Sequence, residues 1–293
     1  MTKTVLLLGA SGLLGTDLYK TLVHSNHQVI APSHAQVDLS DFSSLTRIIL
    51  AEKIDVIINA AAIVDVNALE KNPEAGLRTN ADGAGNIAKI IAERSLSVVY
   101  LMVSTNYVFG TRKRPYAEDE LPAPVNAYGT SKAAGEQLVA AYCKAAGSPY
   151  FIVRTGWLYG AARPTFVDEV AKTLRSGEEY NASADQRGNP TATHDFSKAV
   201  VEEFVVKRKG SGIYHVVNET PEGNGVSRYQ IACEVASVLG VAHTHVHSRK
   251  SDELFSVERP SAVLRNTKLP PLRDWREALR DHFGNASGLR RGE

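Results

Sequence analysis

Three groups of residues in this 293-residue sequence have the types and spacing that chemistry needs. Tyr128 and Lys132 stand four positions apart in Tyr128-Gly-Thr-Ser-Lys132, so in a helix they share a face. An ammonium beside a phenol favours the phenolate and lowers a pKa that is ordinarily about 10, which would make Tyr128 a usable proton donor or acceptor near neutrality. Alone, such a pair is common and reads equally as a tyrosine packed on a lysine stem. Ser104-Thr105 changes that, because it closes the apolar run Val98 to Val103 and sets hydroxyls at the end of a strand, where they can hydrogen-bond a carbonyl. The third group is Gly9-Ala-Ser-Gly12-Leu-Leu-Gly15, directly after the apolar run Thr4 to Leu8 and at the start of a helical stretch. Glycines there let the chain turn tightly and let its backbone approach a pyrophosphate, while the helix N-terminus offers free N–H groups.

That cluster is spaced G-x-x-G-x-x-G, one residue longer between its first two glycines than the usual NAD fingerprint. No acidic residue closes the second strand, which runs Ile30-Ala-Pro-Ser33-His34. An Asp or Glu there would hold the ribose 2′-OH of NAD, so its absence favours NADPH and leaves NADH open. Asp38 either sits by the adenine or caps the following helix.

These groups need a scaffold that brings them to one edge. Thr4 to Leu8, His27 to Ala31, Asp55 to Asn59, Ser97 to Ser104 and Tyr150 to Arg154 read as strands. Thr16 to His24, Phe42 to Glu52, Asn72 to Arg94 and Ala127 to Ala146 carry apolar residues at helical spacing. The alternation predicts an α/β fold of Rossmann type, a doubly wound parallel sheet covered on both faces. Residues 1–154 are expected to form the NAD(P)-binding domain. Residues 155–284 are expected to form mainly a smaller C-terminal substrate-binding lobe, with elements that can return to the first domain, and residues 285–293 a tail. In the second half, helices are expected at Phe166 to Ser176, His194 to Lys207, Ser227 to Leu239 and Asp274 to Phe283, with strands at Gly212 to Asn218 and Ala242 to His247.

Composition bounds the function. With 33 Lys and Arg against 32 Asp and Glu, the formal charge is +1, which argues against a nucleic-acid or acidic-membrane surface. The 43% hydrophobic content excludes a disordered or fibrous chain. Two cysteines, Cys143 and Cys233, lie among Ala and Val and read as reduced thiols of a cytoplasmic protein. No apolar stretch approaches the roughly 18 residues of a membrane helix. His243, His245 and His247 would share one side of a strand, but no Cys or acid accompanies them at zinc-module spacing, so no metal is expected.

The motifs together resemble the extended short-chain dehydrogenase/reductase superfamily and, within it, the dTDP-4-dehydrorhamnose reductase family. The likeness spans nearly the whole chain: the glycine cluster, Asn59-Ala-Ala-Ala62 with Val64-Asp65, Ser104-Thr-Asn-Tyr-Val-Phe-Gly110, Pro115-Tyr-Ala-Glu118 and Tyr128-Gly-Thr-Ser-Lys-Ala-Ala-Gly-Glu136. It continues through Arg154-Thr-Gly-Trp157, Asp185-Gln-Arg-Gly-Asn-Pro-Thr191 and Arg259-Pro260. The resemblance implies reduction of the C4 ketone of a nucleotide-linked 4-keto-6-deoxy sugar. In it Tyr128 donates the proton, Lys132 holds the nicotinamide ribose and tunes Tyr128, and Thr105, with Ser104 as second choice, orients the carbonyl. Implied cofactor contacts are Gly9, Ser11, Gly12, Leu13, Leu14, Gly15, Ser33, Asp38, Leu39, Ala60, Ala61, Ala62, Asn80 and Ser104, with Tyr128 and Lys132. Implied substrate contacts are Val64, Asp65, Asn106, Trp157, Asp185, Gln186, Thr191 and Arg259, besides Tyr128. The partner implied is a small-molecule nucleotide sugar, with a homodimer left open.

One departure stands out: the family motif usually reads S-T-D-Y-V-F, and Asn106 replaces its acid. An amide keeps hydrogen bonds but removes a charge beside Thr105. Two other functions use the same motifs. A catalytically silent NADP-binding subunit, similar to the β subunit of methionine adenosyltransferase, would need the glycine loop but not the proton donor. A nucleotide-sugar epimerase or dehydratase would use the Tyr–Lys pair; the D-Q-x-G-x-P-T and R-P elements weigh against it.

Overall fold

In a computed structural model, which describes residues 1–288, alternation along each strand sends neighbouring side chains to opposite faces of one sheet. The first half runs β1 (Thr4–Leu8), α1 (Leu13–His24), β2 (Gln28–Ile30), α2 (Phe42–Ala51), β3 (Val56–Asn59) and α3 (Val66–Lys71). A long helix follows in three parts, α4 (Pro73–Gly76), a π-helical turn (Leu77–Asp82) and α5 (Gly83–Glu93), then β4 (Val99–Thr105), α6 (Ala127–Ala146) and β5 (Tyr150–Thr155).

After β5 come β6 (Leu158–Tyr159), α7 (Phe166–Arg175), β7 (Tyr180–Ser183), β8 (Arg187–Gly188), β9 (Thr191–Ala192) and α8 (Thr193–Val200), the last running into a second π-helical turn (Val201–Val206). The chain ends with β10 (Gly212–His215), β11 (Val226–Ser227), α9 (Arg228–Leu239), β12 (Val246–Arg249), α10 (Ser251–Leu254) and α11 (Trp275–Gly288).

The six-stranded sheet has the order β10-β5-β4-β3-β1-β2, and all its pairs are parallel. Leu6, Leu8, Ile57, Tyr100, Met102 and Ile152 pack against α2, α5 and α6 on one face. Val5, Leu7, Val56, Ile58, Leu101 and Val153 pack against α1 and α8 on the other. The order reverses between β1 and β3, so the Gly9–Gly12 turn and the Ala60–Ala62 loop flank the switch point at the carboxyl edge, where open α/β sheets bind ligands. Strand β10, from the second half, completes the sheet beside β5. A separate core of α7, α9, α11 and the short pair β7–β12 covers that edge.

Two details differ from the sequence reading. The expected strand over Ala242 to His247 is a 3₁₀ turn at His243–His245 followed by β12, so the three imidazoles do not share a strand face. His243 meets the Ser237 hydroxyl at 2.7 Å and His247 meets Glu179 at 2.9 Å. Of the expected tail, 285–288 continue α11 and the last five residues lie outside the described residues. No helix among the described residues is long and apolar enough to cross a membrane, and both cysteines are free.

Beneath the site lies a buried polar layer. His215 on β10 is fully buried, its Nδ1 meets the Arg265 carbonyl at 3.0 Å, and burial, helped by the Arg154 guanidinium, pushes it down to about 4. Unfolded, the same imidazole ionises near 6.5. Between those values only the unfolded chain takes the proton, so this histidine costs stability as pH falls from about 6.5 towards 4. The stability advantage of wild type over His215→Gln, measured by urea unfolding, should therefore shrink steadily from pH 7 to pH 4.5; a constant difference would contradict it.

Candidate active site

The site is built where α6 crosses the end of β4. Asn126 caps α6, accepting from Gly129 N at 2.9 Å and donating to the Glu258 carbonyl at the same distance, which fixes the helix N-terminus against the second half of the chain. The next residue but two is glycine of necessity: a Cβ on Gly129 would lie 2.1 Å from the Tyr107 carbonyl oxygen. This approach sets half-buried Tyr128 against the turn after β4. There Thr105 hydrogen-bonds the phenol, and the Tyr107 ring meets it edge-on at 5.5 Å. Tyr107 N donates to Thr105 Oγ1 at 3.2 Å, fixing the hydroxyl's place.

Lys132 is buried, and its Nζ donates to the Val103 carbonyl at 2.7 Å. Burial pulls its ammonium down to about 8, against the opposing pull of Glu136. Tyr128 moves the other way from expectation: burial pushes the phenol up to about 12, the Thr105 hydrogen bond opposes this, and Lys132 is not among the groups acting on it. The site therefore holds a firmly protonated phenol, suited to giving a proton rather than taking one. Ser104 is committed elsewhere, donating to Glu136 at 2.5 Å, so Thr105 is the hydroxyl at the phenol.

The glycine cluster forms the expected cradle. Gly9 has φ +81, and a Cβ there would lie 2.6 Å from Ala61 N; a Cβ on Gly15 would lie 2.0 Å from the Gly9 carbonyl oxygen. The first turn of α1 has no side-chain cap, leaving its N–H groups free beside exposed Ser11 and the Leu13–Leu14 backbone. These features fit a dinucleotide whose pyrophosphate lies on a helix N-terminus. Asn59 Oδ1 accepts from Ala61 N at 3.1 Å and shapes the Ala60–Ala62 loop. Asn80, in the first π-helical turn, accepts from Ile63 N at 2.9 Å and donates to the Ile63 carbonyl and to Ser131 Oγ, so its amide ties that loop to α6.

Across the cleft stand two guanidinium groups. Arg228, at the start of α9, lies 4.6 Å from both the Trp157 and the Phe166 rings, donates to Gln186 Oε1 at 2.9 Å and hydrogen-bonds Tyr107. Arg259 lies 5.2 Å from the Phe255 ring and donates to Asn67 at 3.0 Å. Burial and, to a lesser degree, the Arg259 guanidinium disfavour the Arg228 charge, and neither arginine has a carboxylate partner among the described residues. Trp157 Nε1 is buried without a partner.

The family profile of the RmlD substrate binding domain matches residues 2–287. The chain belongs to the dTDP-4-dehydrorhamnose reductase family. It is 34% identical over 291 residues to a dTDP-4-keto-6-deoxy-D-glucose reductase of Streptomyces niveus, covering 97% of each chain. It is 33% identical to a dTDP-4-dehydrorhamnose reductase of Mycolicibacterium smegmatis, over 96% of this chain and 85% of the relative. A solved dTDP-4-dehydrorhamnose reductase of Bacillus anthracis, in complex with NADP, superposes with a TM-score of 0.87 at 29% identity, over 97% of this chain and 100% of that one.

In this member of the reductase family several residues singled out from sequence brace the site rather than open into it. Asn106 is 1% exposed, donates to the Ala262 carbonyl at 2.9 Å and accepts from Thr105 at 3.4 Å. Asp65 caps α3 through Ala68 N, and Thr191 is fully buried, bonded to the Asn189 carbonyl. Asp185 holds Ser251 N and Oγ at an exposed corner, away from Tyr128. Asp38 neither caps nor points inward: it accepts from Ser40, and Asp41 caps α2. Ser33 is exposed and bonded to Gln36, Leu39 packs on Gly83, and Val64 is 64% exposed at the cleft-side loop.

Sequence reasoning missed Tyr107 and Arg228. Tyr107 lies inside the quoted Ser104–Gly110 motif, whereas nothing local marks Arg228, whose partners are distant in sequence. Asn106 generates a test. An aspartate there would set a carboxylate against the Ala262 carbonyl, so its pKa should rise and its cost should be felt where it must ionise. Asn106→Asp should lose about 2 kcal/mol at pH 7 and recover part of it near pH 5, where the protonated acid can donate; a deficit that grows on acidification would refute this.

Proposed function

We propose that this protein uses NADPH to reduce the C4 ketone of a dTDP-linked 4-keto-6-deoxy sugar. The observation that carries the reading is the pairing, across one cleft, of a proton-holding Tyr128–Thr105 couple with the carboxylate-free Arg228 and Arg259, joined through Tyr107. One end suits a carbonyl and the other a diphosphate, the two features that a nucleotide-linked keto sugar combines.

NADPH, when bound, supplies the hydride that adds to the carbonyl carbon. The chain supplies everything else. Thr105 donates a hydrogen bond that orients the carbonyl oxygen, and Tyr128, kept protonated by burial, gives its proton to the alkoxide as charge develops there. Lys132, on the same face of α6, would supply positive charge to the nicotinamide ribose. Arg228, its guanidinium fixed by Gln186 and the Trp157 ring, and Arg259 hold the diphosphate. In this reading residues 1–154 would hold the cofactor and the lobe formed by residues 155–284 would hold the substrate. Two free thiols suit the cytoplasmic location that belongs to this proposal.

In sequence, Asn106 lent weight to a silent binding subunit. Its place as a buried brace removes that argument, and the proton donor keeps partners a binding subunit would not need.

Purified protein should oxidise NADPH, followed by absorbance, when given a dTDP-4-keto-6-deoxy-L-hexose, and Tyr128→Phe should lower kcat at least about 100-fold. No turnover across a panel of nucleotide-linked 4-keto sugars, with NADPH binding retained, would sink the reading. Arg228→Met should weaken dTDP binding by calorimetry about tenfold while sparing NADPH binding; equal affinity for dTDP in the variant would remove Arg228 from the diphosphate site.

A further inference from the structure

Tyr128, Lys132 and Glu136 recur every four residues, so one face of α6 presents a phenol, an ammonium and a carboxylate in a row. Each meets a different part of the same strand end. Tyr128 meets the Thr105 hydroxyl, Lys132 the Val103 carbonyl at 2.7 Å, and Glu136 the Ser104 hydroxyl at 2.5 Å. Arg154 stands directly beside Ser104 in the β4–β5 register, is fully buried, and grips Glu136 with Nε at 2.9 Å and Nη2 at 2.7 Å. Glu136 is 3% exposed, and the reduction itself gives it no task.

Resting on the reductase reading of this site, we propose that Glu136, gripped by Arg154, is a positioning residue for the Tyr128–Lys132 pair: it pins the Ser104 that precedes Thr105, and its charge keeps Lys132 an ammonium. The geometry supports both halves. Ser104 has no other side-chain partner among the described residues, so its hydroxyl, and with it the direction of the adjoining Thr105, depends on that carboxylate. Lys132 sits where burial favours the neutral amine, and Glu136 is the one group that opposes this. The other ionisable groups on the surrounding elements do not help. Arg154 on β5 is itself a cation, burial holds His215 on β10 neutral and the Tyr128 phenol protonated, and Glu118 is taken up by Thr267 at 2.6 Å.

The test follows the Lys132 signal itself, by NMR of the full-length protein carrying lysine labelled with ¹³C at Cε, assigned with Lys132→Arg. In wild type it should titrate near pH 8. In Glu136→Gln it should titrate about one pH unit lower, in Glu136→Asp close to wild type, and in Ser104→Ala unchanged. Where turnover is measured, the basic limb of kcat/KM should move with the same shift. Ser104→Ala should lower kcat about tenfold with KM for NADPH unchanged, because it loosens Thr105 without touching the charge. A Lys132 titration identical in wild type and Glu136→Gln, or a wild-type kcat in Ser104→Ala, would overturn the proposal. If Glu136→Gln does not fold, Glu136→Asp and Ser104→Ala still decide it: a wild-type kcat in both rejects the positioning role. The NMR titration needs no substrate, so absent turnover would sink the reductase reading while leaving this one to be judged separately.

Discussion

Everything at this site depends on how closely α6 lies against the end of β4. The helix can come so near only because residue 129 has no side chain to strike the Tyr107 carbonyl, 2.1 Å from where a Cβ would be. Once the two backbones touch there, the four-residue period of the helix and the strand end fall into register, and Tyr128, Lys132 and Glu136 each find a partner on β4. A helix held even one methyl group further away would separate the phenol from Thr105 and leave the Lys132 ammonium without the Val103 carbonyl. The Asn126 cap and the Asn80 tie lock the same helix at its start and along its side, so three independent contacts oppose sliding.

That closeness has an energetic cost, which the structure meets with polar partners rather than with water. Lys132, Glu136, Arg154 and His215 are all nine-tenths buried or more. A buried ion pair such as Glu136–Arg154 gains little net stability, while removing one member typically costs about 3–5 kcal/mol because the other charge is stranded. The bidentate grip of Arg154, the Ser104 hydroxyl and the Phe109 ring 4.8 Å from the guanidinium satisfy most of these groups. The layer is better understood as a device for one geometry than as a source of stability.

Much of this was legible in the sequence, and what was not shares one physical cause. Period-two and period-3.6 apolar patterns place β1, β3, β4 and β5 and the helix Ala127–Ala146, because the cores on the two sheet faces need those patterns whatever the distant contacts. The glycine cradle and the Tyr128–Lys132 spacing are local, so they could be read directly. Arg228 was not, since its partners Trp157, Gln186 and Tyr107 come from three other segments. Asp185, Thr191 and Asp65 carried plausible chemistry but are consumed by backbone groups, a fate that only tertiary packing decides. His243 to His247 failed for a local reason, since alternation predicts a strand face only where a strand forms, and there the chain turns instead. The direction of the Tyr128 shift was misjudged because proximity to an ammonium was weighed without the burial that outweighs it.

The near-zero net charge of +1 then takes on a meaning that composition alone could not give it. An enzyme for two anionic ligands needs positive potential only where their phosphates lie, and a basic surface would attract competing polyanions. Here the positive groups are local: the uncapped start of α1, and Arg228 with Arg259, which the proposed function assigns to the two ligands. Two guanidinium groups half-buried among aromatic rings, with no carboxylate partner among the described residues, repel one another. On the proposed reading, a diphosphate held there would relieve that repulsion. A carboxylate from the chain would have satisfied the same arginines and stabilised the fold, and it would have left the cleft with nothing to offer an anion.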